Sequence, residues 1–331
     1  MADLGMDLGT ANTVVCHVDQ GIVFDEPSVL LLRGASVRRG RIMAIGREAS
    51  ELVGRAPAGF TALRPLHDGV ITDLETAQAY LRAVLRRVSR HPWQRVRGQV
   101  VIGVPTGATA LERRALLEAA DEAGMGGATT LDEPIAGAVG CGIDPLERRV
   151  HMVVDVGGGT AEVTAFCFGG VVASRSCRVA GDEMTVAVHQ HLREHHQLVV
   201  GEQAAEGVKV QTNFTTEPSL VVHGRDTGSG RPRLATIPVA EIIEVLRPIN
   251  ETIIRTLVAC LDDLPPQATG DVLADGILAF GGASLTSGFD QGLERAFGLP
   301  VKLAENPLTC VAEGAARCLR SAGVLEAYGR A

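Results

Sequence analysis

Two stretches decide how this sequence folds: Leu4-Gly5-Met6-Asp7-Leu8-Gly9-Thr10-Ala11-Asn12-Thr13-Val14-Val15 near its start, and Val153-Val154-Asp155-Val156-Gly157-Gly158-Gly159-Thr160-Ala161-Glu162-Val163 about 150 residues later. Each carries an apolar run into an aspartate, breaks at small residues and resumes as a second apolar run. Short runs rich in β-branched residues and separated by glycine read as the two strands of a hairpin. The first hairpin is predicted over 4–8 and 13–18 around the turn 9–12. The second is predicted over 150–156 and 161–168 around the turn 157–160, closed by Gly169-Gly170. The recurrence points to an internal duplication, with two similar halves that each open on a hairpin.

The turns have the composition of phosphate loops. Glycines let successive backbone N–H groups approach a phosphate closely, Thr10 and Thr160 add hydroxyl donors, and Asp7 and Asp155 can hold a hydrated cation. Either turn alone reads more readily as plain structure than as a ligand site. Two matching turns imply a polyphosphate and its divalent metal gripped between the halves. In dinucleotide-binding and P-loop proteins the glycines lead from a strand straight into a helix. Here they lead into another strand, which leaves the actin-like ATPase architecture. A third turn, Gly281-Gly282-Ala283-Ser284, runs from a strand over 276–280 toward a helix over 287–297 and suits close backbone approach to a nucleoside.

Glu133 is the candidate for the chemical step. Pro134 fits the first helical position, which makes Glu133 the expected N-cap, and a dipole-stabilised cap is the plain structural reading. Opposite a terminal phosphate the same carboxylate would orient or deprotonate an attacking water. Asp132 is a second carboxylate of open direction.

Composition agrees with an α/β chain and removes other classes. The 331 residues include 39 glycines but only 8 Phe, 2 Tyr and 1 Trp, and 46% are apolar. Val, Leu, Ile and Ala therefore build the core, in two domains or one large one. A net charge of −8 without a Lys/Arg block leaves no footprint for nucleic acid. Seven scattered cysteines with no C-x-x-C pair read as reduced thiols of a cytosolic protein. Neither the start nor any later run suits an export signal or a membrane span, so the chain is expected to be cytoplasmic.

Further along, periodicity predicts helices over 74–87, 110–123, 135–142 and 184–197, and strands over 99–104 and 220–223. Residues 226–232 read as a surface loop. A long helical pattern over 239–264 is expected to kink or break at Pro248. The i, i+3 pair Glu206 and Lys209 reads as a solvated bridge. His189, His191, His195 and His196 cluster on one helix, where a polar, solvent-facing surface is the simpler reading than a metal site.

Several strings closely resemble the bacterial actins of the MreB/Mbl family: Asp7 to Thr13, Asp25-Glu26-Pro27-Ser28, Arg64-Pro65-Leu66 with Asp68-Gly69-Val70-Ile71, Val101 to Pro105, Asp155 to Glu162, and Ala180 to Met184. The resemblance spans nearly the whole chain. It implies an actin-like ATPase fold of duplicated ribonuclease-H-like halves, with four subdomains around a nucleotide cleft: IA (1–30 and 65–142), IB (31–64), IIA (143–180 and 246–331) and IIB (181–245). It further implies bound ATP with magnesium, slow ATP hydrolysis, nucleotide-dependent filaments of the chain itself, and a role in cell shape with cell-wall synthesis proteins as partners.

By position, the resemblance makes Glu133 the hydrolytic glutamate, assisted by Asp7, Asp155 and Thr160. Asp7 and Asp155 hold magnesium through water. Nucleotide contacts fall to Gly9, Thr10, Ala11, Asn12, Gly157, Gly158, Gly159, Thr160, Gly181, Asp182, Glu206, Lys209, Gly281, Gly282, Ala283, Ser284 and Leu285. Nine glycines, Gly5 and Gly201 among them, are assigned to these loops or beside them. Two departures stand out: Asp132-Glu133-Pro134 where the family usually reads Glu-Glu-Pro, and Ala283 where it has a third glycine. The loop with Trp93 is the candidate membrane contact. A non-polymerising actin-fold regulator or chaperone is the alternative, and a small-molecule kinase lacks a spare carboxylate motif.

Overall fold

The computed structural model describes residues 3–89 and 98–330, so the Trp93 segment lies outside the described residues. Its strands, in chain order, begin with β1 (Leu4–Leu8), β2 (Asn12–His17) and β3 (Gly21–Pro27), followed by β4 (Leu30–Arg33), β5 (Arg41–Ile45) and β6 (Phe60–Leu63). A short hairpin of β7 (Leu66–His67) and β8 (Val70–Ile71) precedes β9 (Val100–Val104) and β10 (Ala128–Asp132). Then come β11 (His151–Val156), β12 (Ala161–Cys167), β13 (Gly170–Cys177), β14 (Leu198–Val199), β15 (Ser219–Asp226), β16 (Pro232–Pro238), β17 (Ile277–Phe280) and β18 (Val301–Leu303).

Two five-stranded sheets carry the duplication. The first has the order β10-β9-β1-β2-β3 and the second β13-β12-β11-β17-β18. Counted within each half, both read third, second, first, fourth, fifth strand. In both, the first three strands form an antiparallel meander and the last two run parallel to the first. A three-stranded sheet, β5-β4-β6, is inserted after the first meander, and another, β14-β15-β16, after the second.

Each half has its own apolar core, and a third core joins them. Val101, Leu131 and Ile135 from the first half meet Val153, Phe166 and Phe280 from the second, together with Cys310, Val311 and Tyr328. Helices Glu133–Gly140 and Cys310–Cys318 lie in this seam. They touch backbone to backbone: a Cβ on Gly314 would stand 1.7 Å from the Ala136 carbonyl oxygen, and one on Gly140 1.9 Å from that of Cys310. No side chain fits in either place.

Several expectations are corrected. Helix Val239–Val258 continues through Pro248 without a break and gives way to a 3-10 turn at Ala259–Asp263. Pro248 sits on the exposed face, where the carbonyl freed by its missing N–H can turn to water, while Leu246 and Ile253 stay buried on either side. Gly5 belongs to packing: a Cβ there would lie 2.1 Å from the Ala316 amide nitrogen. Gly201 is the N-cap of helix Glu202–Phe214, with open space where its Cβ would stand. All seven cysteines are free thiols.

Gly314→Val is expected to lower stability by roughly 3 kcal/mol or more, because the seam cannot open locally. Gly270→Ala, at a helix position with nothing near its Cβ, should gain up to about 1 kcal/mol. Thermal or urea melts of both variants check the contrast.

Candidate functional site

Both hairpin turns stand at the carboxyl ends of parallel strands, where open α/β sheets place their ligands. In the first sheet Asp7 lies beside Gly103 of β9, and Leu131 of β10 flanks Gly103 on the other side, so Glu133 follows at the same end. In the second, Asp155 lies beside Phe280, the last residue of β17, which leads into Gly281. The two turns meet. A Cβ on Gly158 would lie 3.0 Å from the Cβ of Ala11, and one on Gly159 2.8 Å from Thr10 Oγ1 and 2.7 Å from Asp68 Cα.

Hydrogen bonds fix the turns from behind. Ser28 Oγ donates to the Gly9 carbonyl (2.6 Å), the Ser28 amide to that of Ala11 (2.9 Å), and the Gly69 amide to Thr10 Oγ1 (2.8 Å). The Gly157 amide donates to the Thr160 carbonyl (2.9 Å). Amides of Gly181 and Asp182, at the start of helix Gly181–His195, donate to the carbonyls of Gly157 (3.2 Å) and Gly158 (2.8 Å). The helix N-terminus therefore abuts the second turn, and its dipole favours negative charge there. Asn12 opens β2, opposite Pro27.

The third turn closes the other side. Gly281 adopts a φ of +86°, and a Cβ on it would stand 2.5 Å from Asp155 Oδ1. Gly282–Leu285 forms a 3-10 turn, with Ser284 Oγ donating to the Gly281 carbonyl (2.7 Å). Beside it, Lys209 is buried: its Nζ donates to the Gly181 carbonyl (2.8 Å) and Thr185 Oγ1 (3.0 Å) and pairs with Glu206 Oε2 (2.6 Å). The Glu206–Lys209 pair is thus a brace between two helices, in contrast to the solvated bridge that spacing alone suggests. Ala283, Gly181 and Lys209 lie together at the end of this brace.

Electrostatics set the cleft apart. Burial, with a contribution from Asp25, raises Asp7 from 3.8 to about 7. Burial and then the charges of Asp7 and Asp155 push Glu133 well above the ordinary range, and burial, Asp7 and Glu162 do the same to Asp155. Glu162, which pattern reading left out of the site, is the fourth member. It pairs in register with Asp155 across β11 and β12 and accepts from the amides of Thr106 (2.9 Å) and Gly107 (3.2 Å). Its position opposite Asp155 in the predicted hairpin was the available signal.

Asp132 has a structural task. Its Oδ1 takes a 2.6 Å ion pair from Arg113, both side chains being buried, and this ties helix Ala110–Ala123 to the end of β10. Asp132, rather than Glu133, is the N-cap residue of helix Glu133–Gly140, and its carboxylate is spent on Arg113 instead of capping. Glu133 is freed to begin the helix and point into the cleft among the other acids.

The donor set suits a hydrated magnesium ion. Magnesium keeps several waters and takes one or two carboxylates. Among the described residues, the only three-ligand group tight enough to grip an ion directly lies elsewhere, at His191, His196 and Glu241.

Comparison with known proteins settles the kinship. The family described as MreB/Mbl protein matches residues 1–327. The chain belongs to the MreB/Mbl family. It is 36% identical over 322 residues to the cell shape-determining protein MreB of Escherichia coli strain K12, covering 96% of this chain and 93% of that one. It is 35% identical over 321 residues to the cell shape-determining protein Mbl of Bacillus subtilis strain 168, covering 94% of each. Among solved structures, MreB 5 of Spiroplasma citri bound to AMPPNP superimposes with a TM-score of 0.89 at 32% identity over 96% of both chains. The MamK double helical filament matches with a TM-score of 0.76 at 26% identity over 96% of this chain and 98% of that one. The fold is the actin-like ATPase fold.

The acid cluster carries a pH signature. Because folding raises Asp7 from 3.8 to about 7, the folded, ligand-free chain binds more protons than the unfolded one in that window, and stability falls as pH rises through it. Asp7→Asn is expected to stabilise the ligand-free protein by about 1 to 3 kcal/mol at pH 8 and by less at pH 5. Paired urea melts at the two pH values measure the difference.

Proposed function

We propose that this chain is an ATPase of the cytoskeletal kind: it binds ATP with magnesium between its halves, hydrolyses it slowly, and assembles into filaments that organise cell shape. The observation that carries the reading is the contact of the two Asp-Gly turns across the cleft, with carboxylates from both halves gathered behind them. Family membership and the nucleotide named for MreB 5 of Spiroplasma citri, AMPPNP, support it, as does the filament named for MamK. Four subdomains are in keeping with two large sheets and two inserted ones, although the 30/31 boundary falls within β4 and the 245/246 boundary within helix Val239–Val258.

In this reading, backbone amides of Gly9 to Asn12 and Gly157 to Thr160 donate to phosphate oxygens, with the hydroxyls of Thr10 and Thr160 beside them. Asp7 and Asp155 would hold magnesium, through water, and that ion would supply charge neutralisation of the phosphates. Asp182 and Gly181 present the helix N-terminus to the phosphates. Gly281 to Leu285 bound the nucleoside side, and Lys209 holds Glu206 where it can accept from the sugar or base. Glu133, which burial and then the charges of Asp7 and Asp155 hold above its ordinary range, would orient the attacking water through its carboxylate. Joining of the halves around one ligand links nucleotide state to cleft closure, and closure to assembly.

Two outcomes are expected. Glu133→Ala should bind ATP within a few-fold of the parent and lose phosphate release by about 100-fold or more, a typical contribution for a general base. Unchanged release would remove Glu133 from the mechanism. With ATP and magnesium the parent should sediment as filaments visible by electron microscopy. Nucleotide binding without filaments at any salt or protein concentration would favour the regulator reading.

A further inference from the structure

At the far end of helix Gly181–His195, the histidines do not simply face solvent. The helix stops at His195, His196 caps it, and the chain reverses at Gln197, a non-glycine residue at φ +50°. His196 lies five residues after His191, and although the two would not share a face of a continuing helix, their ring centroids are 5.7 Å apart. Glu241, in the first turn of helix Val239–Val258, comes in between. Its Oε1 meets Nε2 of His196 at 2.6 Å and also contacts Nε2 of His191.

We propose that His191, His196 and Glu241 form a binding site for one divalent transition-metal ion of the zinc class, separate from the nucleotide cleft. Two imidazole nitrogens and one carboxylate oxygen, all within 4.8 Å of one another, are a donor set that zinc accepts with a fourth position left for water. Tetrahedral zinc with bonds of about 2.0 to 2.1 Å separates its ligand atoms by about 3.4 Å, so modest side-chain rotations complete the site. The side chains are 15%, 22% and 30% exposed, which leaves the ion an entry path and the fourth ligand a place.

The surroundings hold the ligands in position. The Thr227 amide donates to the Gln197 carbonyl (2.9 Å), fixing the reversal. Arg233 donates to the His196 carbonyl and pairs with Asp226 (3.1 Å). The His195 ring stacks on that of His191 with centroids 4.5 Å apart. Leu192 and Ile242, each next to a ligand, are fully buried and anchor the two helices. Such support orients ligands in advance of the metal.

The ion would pin the end of one helix to the start of the next. Helix Gly181–His195 begins at the second phosphate turn, so the site stands about 20 Å from it at 1.5 Å per residue. Metal binding and nucleotide binding are therefore measurable separately.

Calorimetric titration of the chelator-treated, nucleotide-free protein with zinc chloride should give one saturable site. His191→Gln, His196→Gln and Glu241→Gln should each weaken it at least as much as loss of a supporting partner does, about 10- to 100-fold, while keeping nucleotide binding and the circular dichroism of the parent. Cobalt substitution should give visible d–d bands without a thiolate charge-transfer band. Absence of a one-equivalent site in the parent, affinity unchanged in all three variants, or a thiolate band pointing to cysteines would each overturn the assignment. The parent titration and the cobalt spectrum decide the matter even where a variant fails to fold.

Discussion

Four carboxylates from both halves of the molecule are held near one another in a buried cleft, and this crowding of like charge shapes the rest. Asp7, Glu133, Asp155 and Glu162 each sit where burial disfavours ionisation; nearby carboxylates disfavour it further at Asp7, Glu133 and Asp155, whereas hydrogen bonds from Thr106 and Gly107 partly offset it at Glu162. Such an arrangement opposes stability in the empty protein and becomes favourable only with compensating positive charge. The protein tolerates it because the seam beneath is rigid. Helices Glu133–Gly140 and Cys310–Cys318 touch through glycine and alanine backbone and cannot slide apart locally.

The duplicated hairpins and the sheet that each one opens were legible because they depend on local signals: β-branched runs, an aspartate at a strand end and glycine in the turn. Helix Ala110–Ala123 falls where periodicity puts it, with a Thr109–Glu112 capping box at its start. Pro248 does not end the helix, because its local breaking tendency is overridden by burial on the opposite helix face. Glu133 as the N-cap misled for a different reason. The cap position went to Asp132, whose partner Arg113 lies 19 residues earlier in another helix.

The same distinction explains the histidines. Spacing within the helix suggests only the pair His191 and His195, which stack on each other. The arrangement with a metal-binding geometry needs a helix end, a left-handed residue and a glutamate 45 residues further on. Glu162 shows an intermediate case, since strand register alone places it opposite Asp155. Contacts made through register could be inferred from the two predicted strands, whereas contacts made through tertiary packing could not.

A crystal structure of the protein with AMPPNP and magnesium tests the central claim most directly. The account predicts the phosphates between turns 9–12 and 157–160, with amides of both donating to them, the metal joined to Asp7 and Asp155 through water, and Glu133 facing the terminal phosphate. Phosphates held by only one turn, or a nucleotide bound outside the cleft between the two halves, would contradict it.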